Sequence, residues 1–279
     1  MDSAYANMSR MTRGLAYLLL IIGAIGVCFP FVWMGLTSLK TAPEIQRLPL
    51  HFLPDSLSNL NNYHEVFRRL PFWRFLLNSL FISATCTLSS LILSSLAGYG
   101  FAKFDFPGRN IFFFAIISLL MVPFQAIMIP LYLWVQRLGL IDTYLGIMSP
   151  LLVSAFGVFL MRESIEALPD EYLDAARIDG CSNFRIFWQI VLPMSKPALA
   201  TLAIIKFLWT WNEFFWPLVV TNSPSKNVVT LGLSTFTNMY FREYELLTAA
   251  AVLSVIPILL LFICMQKWVV QAMVMSGLK

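Results

Sequence analysis

Six apolar blocks dominate the chain, at approximately 14–38, 75–102, 111–135, 143–161, 197–220 and 246–270, and each is long enough to cross the hydrocarbon core of a bilayer. Inside a bilayer every backbone N–H and C=O must be paired within the protein, and continuous apolar runs of this length meet that demand as helices. The expected fold is therefore an all-α membrane protein with six transmembrane helices. Prolines at positions 30, 123, 130, 150, 217 and 257 fall inside the blocks, where neighbouring helices can satisfy the freed backbone groups. Composition agrees: 12% of the residues are charged, against about 25% in a soluble domain. The mean hydropathy is +0.74. A net charge of +4, spread along the chain, is no footprint for nucleic acid. Cys28, Cys86, Cys181 and Cys264 lack metal-type spacing and read as small hydrophobes. The first block is too long for a signal peptide and lacks an A-x-A cleavage site, so it is expected to be retained.

One polar stretch, residues 168–193, is lodged between the fourth and fifth blocks. Pro169, Asp170 and Glu171 suit the first turn of a helix, where proline is tolerated and acids meet the positive end of the dipole. Arg177 suits its last turn and Gly180 the stop just beyond it. Ser182 or Asn183 can cap a second helix. In that helix Phe184, Phe187, Trp188 and Val191 recur at the spacing of one apolar stripe, and Pro193 ends it by forcing Leu192 out of the α region. Two short helices joined at a glycine turn are expected, with one apolar face and one charged face.

The stretch also carries a spaced pattern. Asp174, Ala175 and Ala176 are followed by three residues and Gly180, and nine more lead to Ile190, Val191, Leu192 and Pro193. This resembles the "EAA" loop of bacterial ABC-importer permeases, E-A-A, three residues, Gly, nine residues, I-x-L-P, with Asp for Glu at 174. Further pieces, AGYGFAKFDFPGRN at 97–110, Asn78-Ser79-Leu80 and WNEFFWPLV at 211–219, together with TAPEIQRLP and NLNNYHEVF after the first block, resemble carbohydrate-importer permeases related to the maltose transporter. The resemblance implies the ABC type I importer permease fold, with 168–193 as a cytoplasmic two-helix coupling loop. Glu171, Asp174, Ala175, Ala176, Gly180, Phe184, Phe187, Ile190 and Pro193 would then form or hold the face that docks into an ATPase subunit. It also implies a complex of two permeases, two ATPase subunits that bind ATP and Mg, and an extracytoplasmic solute-binding protein, in a bacterial inner membrane. No cofactor belongs to this chain. The implied layout is a cytoplasmic N-terminus at 1–13, a permease domain at 14–270, outer loops at 39–74 and 221–245, and a cytoplasmic tail at 271–279. Basic residues divide almost evenly between the two sides, so charge alone leans only slightly toward this orientation.

Lys206, Trp209, Asn212, Glu213 and Trp216 crowd the fifth block, with Trp211 among them. Aromatic faces, an amide and a carboxylate are the groups that bind sugars, and an ionisable group within a span usually faces a cavity or a partner. Tryptophans are equally at home in an interfacial belt. In relatives of the maltose type the loop between the last two spans reaches into the binding protein, which assigns its tip to Asn222, Ser223, Pro224, Ser225, Lys226 and Asn227. A plain Pro/Ser turn is the simpler alternative. Ser79, Ser83, Ser90 and Ser94 form a small polar stripe suited to close helix packing, as do Gly98 and Gly100. The chain has no Gly-Lys-Ser/Thr phosphate loop, and its two histidines, His51 and His64, read as surface residues of an outer loop, so no catalysis is expected of it. The reading is a permease subunit importing a sugar or sugar-like solute such as an oligosaccharide, a glycosylated polyol or glycerol phosphate. The rivals are an ion-gradient-driven secondary transporter, which would favour inverted repeats, and a membrane-anchoring subunit, which would leave the spaced loop unexplained.

Overall fold

The structure, a computed structural model, describes residues 10–49, 51–237 and 243–276. Its helices are α1 (Arg10–Thr37), α2 (Ala42–Gln46), α3 (Asn61–Arg69), α4 (Phe72–Lys103), α5 (Arg109–Ser118), α6 (Phe124–Arg137), α7 (Tyr144–Met148), α8 (Ala155–Glu166), α9 (Asp170–Ile178), α10 (Asn183–Ile186), α11 (Leu192–Met194), α12 (Lys196–Trp211), α13 (Phe215–Val220), α14 (Val229–Ser234) and α15 (Tyr244–Ser276). Three of them, α1, α4 and α15, are long and apolar enough to span a membrane singly. Three more spans are bent pairs: Arg109–Met121 with α6 at 104°, Tyr144–Leu151 with α8 at 44°, and Asn183–Met194 with α12 at 78°. Counting each pair once gives the six expected spans.

The fifth block departs from the expected 197–220. Its helix stops at Trp211 and resumes as the separate α13. Pro217 has no N–H for the Glu213 carbonyl, and its ring crowds that carbonyl, so a helix carried through here would lose that bond. The freed Glu213 carbonyl accepts a bond from the Thr230 hydroxyl at 2.8 Å. At the far end, α15 runs through Ser276, so most of the expected tail at 271–279 is helical. Arg242 of the expected outer loop 221–245 and Lys279 of that tail, like residues 1–9 of the expected N-terminal segment, lie outside the described residues.

The chain divides into two compact units. One comprises Met1–Leu70 and Leu233–Ser254. Within it the expected loop 39–74 is largely folded. The Lys40 side chain lies over the Trp33 ring at 4.9 Å and donates to the His51 carbonyl at 2.5 Å. Asn62 is buried and donates to the Ser38 and Lys40 carbonyls at 2.7 and 2.8 Å. Glu65 takes both Arg68 and Arg69, whose guanidiniums hold its carboxyl down at about 2, and Arg69 reaches on to Glu243 at 2.7 Å. His51 and His64 are exposed, as the sequence suggested.

The other unit comprises Pro71–Gly232 and Val255–Lys279 and is organised around α4. This helix packs along α8 and α12. Ser79, Ser83, Ser90 and Ser94 are all buried, so the small polar stripe is a packing face. A Cβ on Gly157 of α8 would collide with the Ser94 hydroxyl, and one on Gly98 would lie 2.8 Å from both the Arg162 backbone nitrogen and the Met161 Cβ. Gly100 faces open space, which corrects its grouping with Gly98. We therefore expect Gly98→Val to destabilise the fold by roughly 1–3 kcal/mol through overpacking against backbone, and Gly100→Val to be near neutral. Thermal unfolding of the purified, detergent-solubilised variants measures the contrast, and equal melting temperatures would contradict it.

Candidate functional site

The 168–193 stretch folds as two short helices about a glycine turn. Pro169 is the cap residue before α9 and not part of its first turn. Beyond Asp179 the chain turns at Gly180, whose φ is +78°, a conformation that favours glycine. The Gly180 N–H donates to the Arg177 carbonyl at 3.0 Å and the Cys181 N–H to the Ala176 carbonyl at 2.9 Å, the paired bonds of a Schellman stop. Ser182 then caps α10 by accepting the Arg185 N–H at 3.4 Å. Pro193 does not end the element. Phe187–Val191 widens into a π-helical turn, and Leu192 stays α-helical with φ −61° and ψ −47°. Proline needs no acceptor for a missing N–H, and π-turns are where the regular bonding ladder shifts.

The same widening splits the expected apolar stripe. Phe187 and Val191 are buried, together with Ile186, Leu173 and Ala176, in a core that includes Tyr99, Met161, Ile165 and Leu202. Phe184 and Trp188 face outward, with their rings 6.1 Å apart. Ala176 and Phe187 pack inside their own chain, and Ile190 is half-buried. Glu171, Asp174, Ala175, Gly180, Phe184 and Pro193 remain exposed. Asp174 pairs with Arg177 at 2.7 Å. Ile178, 86% exposed, and Tyr172 are further exposed apolar side chains, on α9, outside the stripe counted in the second helix.

Lys103, at the end of α4, fastens this element to the spans. Its side chain is 7% exposed. The ammonium donates to the Leu168 carbonyl at 2.8 Å, the Glu166 carbonyl at 3.5 Å and the Asp170 carboxylate at 2.6 Å. It thereby satisfies carbonyls left over at the end of α8, where a cation is favoured. Lys103 in turn holds the Asp170 carboxyl below the usual carboxylate range.

The side chains expected to form one cluster in the fifth block are dispersed. Lys206 is buried on α12 within electrostatic reach of Cys86. Trp209 is exposed, with its ring 5.3 Å from that of Phe156. Trp211 is buried and stacks on Phe207. Trp216 is wholly buried, and its indole N–H bonds the Gly146 and Ile147 carbonyls at 3.2 and 3.1 Å. Trp216 is thus a core residue of this chain. Asn212 and Glu213 sit in the break after α12. Asn212 is exposed and bonds back to the Leu208 carbonyl at 2.9 Å. Glu213 accepts the Trp216 N–H at 3.2 Å, capping α13, so its carboxylate has a structural task that an unbroken helix did not suggest.

The assigned loop tip, Asn222–Asn227, is pinned to the body of its unit. Asp142, at φ 58°, accepts the Asn222 and Ser223 N–H groups at 3.1 and 2.9 Å and also the Ser223 hydroxyl. Those bonds, the Ser223 hydroxyl foremost, lower the Asp142 carboxyl below its ordinary range. Asn78 of α4 donates to the Ser225 and Asn227 carbonyls at 3.1 and 2.8 Å and accepts the Tyr144 hydroxyl at 2.8 Å. The Lys226 ammonium lies 3.9 Å from the centre of the Tyr144 ring, a cation–π contact. Pro224–Lys226 forms a single 3₁₀ turn. Val220, Val228 and Leu231 on either side belong to a core with Ile82, Cys86 and Trp216, so only Asn222 and Pro224 of the six are exposed.

Residues 90–275 match the family described as binding-protein-dependent transport system inner membrane component. The chain belongs to this family. It is 37% identical to the arabinooligosaccharides transport system permease protein AraQ of Halalkalibacterium halodurans, over 98% of this chain and 100% of that one. It is 36% identical to the lactose transport system permease protein LacG of Rhizobium radiobacter, over 96% and 97%. With the sn-glycerol-3-phosphate transport system permease protein UgpE of Yersinia pestis it shares 33% identity, over 95% and 98%. The fold matches a crystal structure of a bacterial ABC transporter involved in the import of the acidic polysaccharide alginate, with a TM-score of 0.81 and 26% identity over 94% of this chain and 99% of that one. The protein is thus a multi-pass inner-membrane permease component of an ABC importer and not an enzyme. The family membership displaces the ion-gradient and anchoring readings.

Two predictions follow from the geometry of this permease. Ala176→Asp buries an unpaired carboxylate in the core and should cost several kcal/mol, read as lost expression or a lowered melting temperature, while Ala175→Asp on the exposed face should fold normally. Equal stability of the two variants would contradict the packing. Asp142→Asn at neutral pH should speed amide exchange across 221–227, measured by hydrogen–deuterium exchange. Because the folded-state pKa of Asp142 is depressed, its hold is complete above the ordinary aspartate range and is lost as pH falls through the lowered value. Unchanged exchange in Asp142→Asn would refute the latch.

Proposed function

We propose that this permease is one of two membrane subunits of an ATP-driven importer of an oligosaccharide, a glycosylated polyol or glycerol phosphate. Its N- and C-termini face the cytoplasm. Two ATPase subunits, which bind ATP and Mg, dock on the 168–193 element, and an extracytoplasmic binding protein delivers the solute near 222–227. ATP binding shifts the permease pair between two states of access. The observation that carries this reading is the exposed rim of Tyr172, Ala175, Ile178, Phe184 and Trp188 on an element whose other face is sealed into the core. A polar-edged apolar patch left open beside a rigid turn suits a protein partner. The EAA-like spacing and the relatives' transport of arabinooligosaccharides, lactose and glycerol 3-phosphate support the same assignment. Among the solute-path candidates, Trp209, Asn212 and Glu213 keep some exposed surface, and Lys206 lies buried on α12, one turn before Trp209.

The test is assembly. Ile178→Asp and Phe184→Asp should abolish co-purification of the ATPase while the subunit still reaches the membrane with its partner permease. Undiminished co-purification in both variants would sink the docking assignment. In proteoliposomes containing the whole complex, uptake of arabinooligosaccharide, lactose and glycerol 3-phosphate then identifies the solute class.

A further inference from the structure

We infer that α4 is a transmission rod joining the ATPase-docking element to the outer loop at 222–229, with Lys103 and Asn78 as the positioning residues at its two ends. The inference rests on the functional reading above for what each end touches. The observations behind the rod itself are independent of it.

At one end α4 grips both halves of the docking element. Lys103 bonds Asp170 in the first turn of α9, and Tyr99, one turn earlier, lays its ring 5.6 Å from that of Phe187 beyond α10. At the other end α4 grips the loop. Asn78 donates to the Ser225 and Asn227 carbonyls, and the Ser79 hydroxyl accepts the Val229 N–H at 2.8 Å. Neither partner is a neighbour of α4 in sequence. The two grips are 25 residues apart on one helix, roughly 37 Å at 1.5 Å per residue.

The helix between them is suited to carry displacement. Among the described spans, α1 and α15 hold an internal proline, at 30 and 257, and the other three are bent pairs. Proline and broken bonding ladders are where helices flex. α4 has neither over its 32 residues. Its middle packs closely on α8 at Ser94 and Gly157 and at Gly98, so it cannot bow toward this neighbour. A shift of the docking element therefore reaches the loop along one stiff member. The chain's own route between the two regions passes through the 78° bend before α12 and the break after Trp211.

The test uses the assembled complex of both permeases and both ATPases, followed by hydrogen–deuterium exchange with and without ATP plus vanadate. In the parent, trapping should change exchange at 170–186 and also at 222–229, by about fivefold or more, the lower range of coupling factors between distant sites. In Lys103→Met and in Asn78→Ala the response at 222–229 should vanish while that at 170–186 persists. Asp142 still pins the loop in both. Lys103→Arg should restore it, and Lys103→Gln serves if the Met variant does not assemble. A response at 170–186 with none at 222–229 in the parent overturns the rod and leaves the docking reading intact. A loop response that survives in both variants also overturns the rod. No response at 170–186 overturns both readings.

Discussion

The close approach of α4 to α8 is the contact on which the rest of the larger unit depends. Side chains larger than serine or glycine at 94, 98 and 157 would force the two backbones apart, and at Gly98 the opposing atoms are backbone that cannot yield. Lipid tails are as apolar as the side chains they would replace, so membrane helices associate through such packing more than through hydrophobic exclusion. With α8 seated on α4, the end of α8 comes under Lys103, and the 168–193 element is delivered to one fixed position. α12 packs on the same two helices, which brings Leu202 into the core beneath the element.

The 168–193 element shows how one chain divides an amphipathic segment between its core and an open face. A regular α-helix through 183–194 would set Phe184, Phe187, Trp188 and Val191 on one side. In the structure Phe187 and Val191, which bound the π-turn, go inward, and Phe184, in the α-helical turn before it, goes outward. π-turns of this kind recur at functional positions because they aim side chains that a regular helix cannot. The glycine turn does the corresponding work for α9, folding it back so that Leu173 and Ala176 close the core while Ala175 and Ile178 stay open.

At the other end of α4 the chain uses polar groups where the docking element uses apolar ones. The segment after Trp211 returns its carbonyls and N–H groups to side chains of distant elements: Thr230 to Glu213, Asn78 to Ser225 and Asn227, Asp142 to Asn222 and Ser223. Irregular backbone at membrane depth or at its edge is tolerated only when it is satisfied in this way. The loop is consequently built into its unit, held at both sides by Val220 and Val228 in the core.

Much of this was legible in the residues. Long apolar runs leave backbone pairing no option but helix, so six spans could be counted, and Gly180 with Ser182 or Asn183 pointed to two short helices about a turn because a left-handed turn and an N-cap each demand particular residue types. The serine stripe was rightly a packing face, since its period is that of one helix. What local pattern could not decide was which neighbour each side chain meets. Trp216 and Glu213 looked like members of one polar–aromatic cluster because an unbroken helix was assumed; Pro217 breaks it, and only the packed fold reveals that the tryptophan is core and the carboxylate a cap. Ala176 and Phe187 belong to the spaced pattern, and only the packed fold places both in the core. Asp142, Lys103 and Asn78 were invisible as partners because their contacts lie 63–149 residues away along the chain. Sequence sets the bonding a segment must find locally. Tertiary structure alone decides the remote groups that supply the rest, since distances across a fold are set by packing and not by periodicity.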